Sequence, residues 1–207
     1  KNKGLGRGAM MAIIAVVVVL IIIVSVLFFF GFMSMPEDPA KLVSLQGSVE
    51  VSSGGEFRAA TEGMALSKNS VVRTSSGSSA DILLYGSSIM RLDENTEVKI
   101  ADFITDKTDR TIKLEQTSGK TWNRVMLISG IDNYEVSTPT AVASVRGTGF
   151  AVSVTNESTS IGVAEGKVGL KTEFAGETAV EISENEQADI AKGLSEAPTI
   201  KTLVRDA

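Results

Sequence analysis

SVVRTSSGSSADILLYGSSIMRL (residues 70–92) holds three short runs, 70–74, 80–86 and 88–92, in which apolar and polar residues alternate. Alternation with a period of two belongs to half-buried strands, and Ser75-Ser76-Gly77-Ser78 between the first two runs is turn chemistry. The same grammar extends in both directions. Upstream stands LVSLQGSVEVS (42–52); downstream stand EVKIADF (97–103), TIKLE (111–115), KTWNRVML (120–127), YEVST (134–138), AVASV (141–145) and FAVSV (150–154). SIGVAEG (160–166), KVGLKT (167–172) and AVEIS (179–183) complete the series. No amphipathic helical period interrupts them. The expectation is an all-β domain of roughly 12–14 short antiparallel strands over residues 42–190, with a C-terminal tail at 191–207.

Before this domain lies a stretch of different character. AMMAIIAVVVVLIIIVSVLFFFGF (9–32) has nothing more polar than Ser25 and Gly31. At about 1.5 Å per residue it is long enough as a helix for a bilayer core, so residues 9–33 are expected to be a transmembrane helix. Lys1, Lys3 and Arg7 precede it, whereas all 25 acidic residues follow Pro36, which leaves residues 36–207 a net charge of −8. Positive charge stays inside. The flank at 1–8 is therefore expected in the cytoplasm and the β-domain outside it, in a single-pass arrangement at the cell membrane. Pro36 and Pro39, with Glu37 and Asp38, mark 34–41 as a linker. Two other readings of the run are a cleaved secretory leader, for which it is long, and a pilin-like leader cut after Gly8. The first residue is Lys rather than Met, which raises the expectation of further sequence upstream.

The chain has no Cys and no His. Disulfides, Ser-His-Asp and Cys-His catalysis, haem ligation and most zinc sites are thereby removed. An acidic chain without a visible basic patch argues against nucleic acid. No enzyme activity, cofactor or metal is expected; the expected partners are the lipid bilayer and other envelope or membrane proteins, a homo-oligomer included.

Two weak internal similarities suggest a coiled roll or short solenoid of hairpins. Gly47-Ser48-Val49-Glu50-Val51 with Glu56-Phe57 matches Gly166-Lys167-Val168-Gly169-Leu170 with Glu173-Phe174, and the segment 73–82 matches 136–142.

Particular residues then fall into order. Gly63-x-x-Leu66, Val72-Arg73-Thr74-x-x-Gly77-Ser78, Gly86-Ser87-x-Ile89-x-Arg91-Leu92-x-Glu94-Asn95-Thr96 and Gly119-Lys120-Thr121-Trp122 lead to Ser137-Thr138-Pro139-Thr140-Ala141-x-Ala143-x-Val145-Arg146-Gly147-Thr148-x-Phe150, and then to Val163-x-Glu165-Gly166-x-Val168. This series, over about residues 45–172, resembles the FecR domain. The resemblance implies an extracytoplasmic β-domain beyond a single span, which in the family's namesake regulators receives a signal from an outer-membrane transporter while a cytoplasmic domain controls a sigma factor. Only eight residues stand here before the apolar run.

Physically, Gly77, Gly86, Gly119, Gly147, Gly149 and Gly166 are expected at turns. Arg146 is expected either to pin two hairpins through Glu165 or Asp93 or to face a partner, and Thr148 beside it shares that choice. Trp122, the single tryptophan, is expected as a core anchor ahead of a stacking surface. Arg91 is the remaining candidate for recognition or pinning. Asp93-Glu94 reads as a polar turn rather than an acid–base pair, because neighbours on a strand point to opposite faces. Asn156-Glu157-Ser158 is a formal N-glycosylation acceptor. The resulting reading is a non-catalytic, membrane-anchored sensing or scaffold protein of the envelope. Its main rival is a filament subunit whose apolar helix packs against its neighbours; an envelope hydrolase using carboxylates is the third.

Overall fold

The apolar run forms one helix, α1 (Arg7–Met33), of 27 residues and about 40 Å. A computed structural model describes residues 7–33, 39–105, 110–127, 131–172, 179–193 and 197–203. The basic residues Lys1 and Lys3, positions 34–38 of the linker expected at 34–41, and the pair Glu173-Phe174 lie outside the described residues, while Ala40 and Lys41 already belong to the first strand. The chain divides into two units, Lys1–Glu37 and Asp38–Ala207. In α1 the side-chain surroundings are described continuously over 15–27, and all of these side chains are exposed. That stretch alone is about 20 Å long. Among the described residues no helix is long and apolar enough to cross a membrane.

The second unit is built from sixteen strands among the described residues. In chain order these are β1 (Ala40–Gln46), β2 (Val49–Ser53), β3 (Arg58–Ala59), β4 (Ser70–Thr74), β5 (Ser79–Leu84), β6 (Ser88–Leu92), β7 (Glu97–Thr105) and β8 (Arg110–Arg124). There follow β9 (Asn133–Ser137), β10 (Ala141–Val145), β11 (Gly149–Val154), β12 (Ser158–Glu165), β13 (Lys167–Thr172), β14 (Val180–Ser183), β15 (Glu186–Ala191) and β16 (Thr199–Thr202). They pair as one sheet folded over on itself. One layer runs β1-β5-β6-β8-β11-β12-β15-β16 and the other β3-β2-β4-β7-β8-β9-β10-β13-β14, with β8 shared. Between the layers Leu42, Ile82, Met90, Ile100, Phe150 and Leu170 are buried, 2% exposed or less.

The chain crosses between layers at sharp arches, each holding one left-handed residue: Gly47, Gly77, Asn95, Gly119, Gly147, Gly166 or Asn185. Successive arches lock together. A Cβ on Gly119 would collide with the side chain and backbone of Thr96, whose hydroxyl donates to the Lys120 carbonyl at 3.1 Å and accepts its N–H at 3.0 Å. The device recurs at Gly166: a Cβ there would press on the Thr148 hydroxyl, which donates to the Lys167 carbonyl at 3.0 Å. Gly47 and Gly166 thus open equivalent arches, as the first internal similarity suggests. The second does not hold, since 74–79 crosses between layers whereas Thr138 to Ala141 is a tight turn within one layer.

Five expectations change. The run 42–52 is two strands in opposite layers, because left-handed Gly47 reverses the chain. The run 111–115 and the part of the run 120–127 up to Arg124 belong to the single strand β8, folded at Gly119. Not every pair is antiparallel: β8 and β9 are parallel, with Thr111 opposite Asn133. The fold in β8 brings its end back above its start, so the next strand enters alongside Arg110, whose carbonyl accepts the Asp132 N–H at 2.9 Å. No long crossover is needed. Gly149 lies in a strand with ordinary backbone rather than at a turn, while Gly77, Gly86, Gly119, Gly147 and Gly166 have left-handed backbone. The C-terminal segment is part of the sheet, since β16 pairs with β15.

Candidate functional site

Within β8, Ile112, Leu114 and Gln116 point into the core, but beyond the bend the inward residues are Thr121, Asn123 and Val125. The fold at Gly119 switches which parity faces inward. Trp122 is consequently turned outward and is 47% exposed, not a core anchor. The polar residues this switch buries are satisfied in a chain. Tyr134 O–H donates to Asn123 at 2.7 Å, Asn123 to the Thr121 hydroxyl at 3.1 Å, and Thr121 to Gln116 at 2.8 Å. Gln116 in turn donates to the carbonyls of Gly119 and Val152. Full burial drives the Tyr134 phenol far above its ordinary pKa, so it stays a neutral donor.

Around Trp122 the outer face is ordered by the register. Arg91 on β6 and Ala151 on β11 are its cross-strand partners, and Gly162 and Gln187 continue the same row. Lys120 and Arg124 lie above and below Trp122 on β8, and the Lys120 ammonium is 4.5 Å from the centre of its ring. Arg91 binds Asp81 through two hydrogen bonds, 2.7 and 2.9 Å, which raise its pKa by direct bonding and by charge. Trp122 separates two shallow concavities of about 540 and 520 Å³. One reaches Ile89, Arg124 and Glu165; the other reaches Asp93, Ser160 and Leu203.

The remaining candidates lie apart from this face. Arg146 is 70% exposed and meets Asp132 at 3.8 Å, so neither Glu165 nor Asp93 pins it and no buried carboxylate is involved. Thr148 is buried and serves the arch at Gly166. Glu94 accepts the Gly77 N–H at 2.6 Å and Asp93 accepts the Glu94 N–H at 3.2 Å, so both acids stitch the arch next to them. Among the described residues no group of three or more acids, His or Cys could hold a metal ion. Lys120, Arg124 and the small residues of β11 and β12 escaped the sequence reading. Their signal was the pattern Lys-x-Trp-x-Arg, legible once the parity of β8 is known.

The model of the FecR protein family matches residues 70–169. Residues 70–169 are a FecR domain. β1 to β3 and β14 to β16 extend its two layers beyond the matched segment at either end. Two crystal structures of a candidate anti-sigma factor from Parabacteroides distasonis ATCC 8503, at 2.50 and 1.65 Å resolution, are similar in fold. Their TM-scores are 0.52 and 0.53, at 22% and 21% identity, and in each the likeness covers 64% of this chain and 59% of theirs. Among curated proteins none matches the chain.

Proposed function

We propose that this protein is a membrane-anchored sensing or scaffold protein whose FecR domain stands outside the cytoplasm and acts by binding other proteins, without catalysis. The observation that carries the reading is the contrast between α1 and the sheet unit. α1 is apolar on every side and exposes its described side chains all round, from Ala15 to Leu27, with Val16 at 60% and Leu27 at 66%. A helix in water would bury one face; a helix uniform about its axis suits lipid. The three cations in the short flank before it support the orientation, with that flank inside.

The binding role draws its support from the exposed Trp122 face, where an aromatic ring and guanidinium groups stand on rigid strands. The regulatory colour of the proposal comes from the FecR family and from the candidate anti-sigma factor with a similar fold. Deletion of residues 7–33 tests the anchor. The full chain should stay with membranes through a carbonate wash and the shortened chain should appear in the soluble fraction; retention of the shortened chain in the washed membranes would refute anchoring by α1.

A further inference from the structure

The outward positions of β11 are Gly149, Ala151 and Ser153; Gly162 and Ser160 of β12 lie opposite the last two, while a register shift sets Gly149 opposite Glu165, next to Ala164. Apart from Glu165 these strands carry only small outward side chains, and the two concavities, which share Trp122 and Ala164, follow one another as a trough beside β8. Its near wall is the row Lys120, Trp122, Arg124; Gln187 and Leu203 stand on the far side, with the Leu203 side chain filling the space above Gly162. From Gly149 to Ser153 the floor is about 13 Å long, room for roughly five residues of extended chain.

Charge on the near wall decides what fits. Arg91 is neutralised by Asp81, but among the described residues neither Lys120 nor Arg124 takes part in an ion pair. Two cations without an ion-pair partner among the described residues, on a unit of net charge −7, therefore flank the one exposed indole. Glu165 lines one concavity and Asp93 the other, and Glu165 lies opposite Gly149, the cross-strand partner of Arg124. Lys120, Trp122 and Arg124 repeat at about 7 Å, the spacing of alternate side chains on any extended chain laid alongside. The strands beneath are fully paired on both sides, so an occupant lies on the face and is read by its side chains rather than by backbone ladder bonds.

We propose that this trough docks an extended segment of a partner protein in which an apolar residue is flanked at two positions on either side by acids. Its carboxylates meet Lys120 and Arg124, and its apolar side chain packs on Trp122 in the shallow floor. The inference rests on the protein-binding role proposed above and names its site and the chemistry of the partner.

Trp122 is the only tryptophan, so its emission reports on the trough directly. The full chain in detergent micelles is titrated with the capped peptides ETLTE, KTLTK and ETSTE. ETLTE should give a saturable change in emission, about tenfold tighter than either control, and raising the salt from about 50 to 300 mM should weaken it several-fold. Arg124→Glu should weaken ETLTE about tenfold and restore binding to a peptide with the facing acid changed to Lys, at an unchanged melting temperature. Equal binding of KTLTK, no saturable change with ETLTE, failure of the charge reversal, or tighter binding of an uncharged oligosaccharide would each overturn the proposal. A photo-crosslinker in cells separates this from the broader reading. Adducts with envelope proteins from Lys113 on the other layer, but none from Ile89, would refute the trough and leave a binding role intact; adducts from neither would refute both.

Discussion

Gly119 and Arg146 stand at opposite ends of what one side chain contributes here. Gly119 holds a left-handed backbone and has Thr96 pressed against the place where a Cβ would go. Gly119→Ala should therefore destabilise the protein by about 2–5 kcal/mol, strain and overpacking together. Gly54 has a left-handed backbone too, but open space around it. Gly54→Ala should cost only about 1 kcal/mol. Chemical denaturation of the two variants side by side checks the arch-locking account, and equal losses would contradict it. Arg146, exposed and loosely paired with Asp132, should tolerate Arg146→Met within about 0.5 kcal/mol. A loss of several kcal/mol in the same assay would restore it as a structural pin. The sequence showed Arg146 entering a Gly-Thr turn, but not that the carboxylate nearest in space would be Asp132 at the water's edge.

At the level of elements, the alternation of short runs disclosed nearly every strand, because period two is a local property of the chain. What it could not disclose is where a left-handed residue redirects the strand. Within 42–52 and 111–127 the alternation continues almost unbroken through Gly47 and Gly119, yet the chain changes layer at both. The parity of β8 flips at the second of these, and so a tryptophan became exposed while Thr121 and Asn123 were buried. The addition of β16 was hidden for another reason: it is held by its edge and by Asp189 on β15 rather than by apolar burial. Burial works to raise the Asp189 pKa, but hydrogen bonds from Lys201, Gln187 and Ser160, with the Lys201 charge, outweigh it and leave the carboxyl below its ordinary value. A depressed carboxyl stabilises above its unfolded pKa, about 3.9, and the contribution fades as pH falls through the lower folded value. The stability gap between the native chain and Asp189→Asn should thus be full at neutral pH and close in the acid range below the depressed folded value. A gap that stays constant across thermal melts from pH 7 to that range would deny the ion pair its part in holding β16.

For the whole molecule, the proposed function puts the apolar helix in lipid and the acidic folded sheet in water outside the cytoplasm. The chain has no cysteine, which makes the arrangement directly readable. A single cysteine placed by Glu157→Cys in the exposed turn between β11 and β12 reports on the sheet unit, and one placed by Lys3→Cys reports on the basic flank. Each variant of the full chain is treated in intact spheroplasts with a maleimide that cannot cross the membrane. The account predicts that the cysteine at position 157 is labelled at once and the one at position 3 only after the membrane is permeabilised. Labelling of position 3 with protection of position 157, or of neither until lysis, would contradict it.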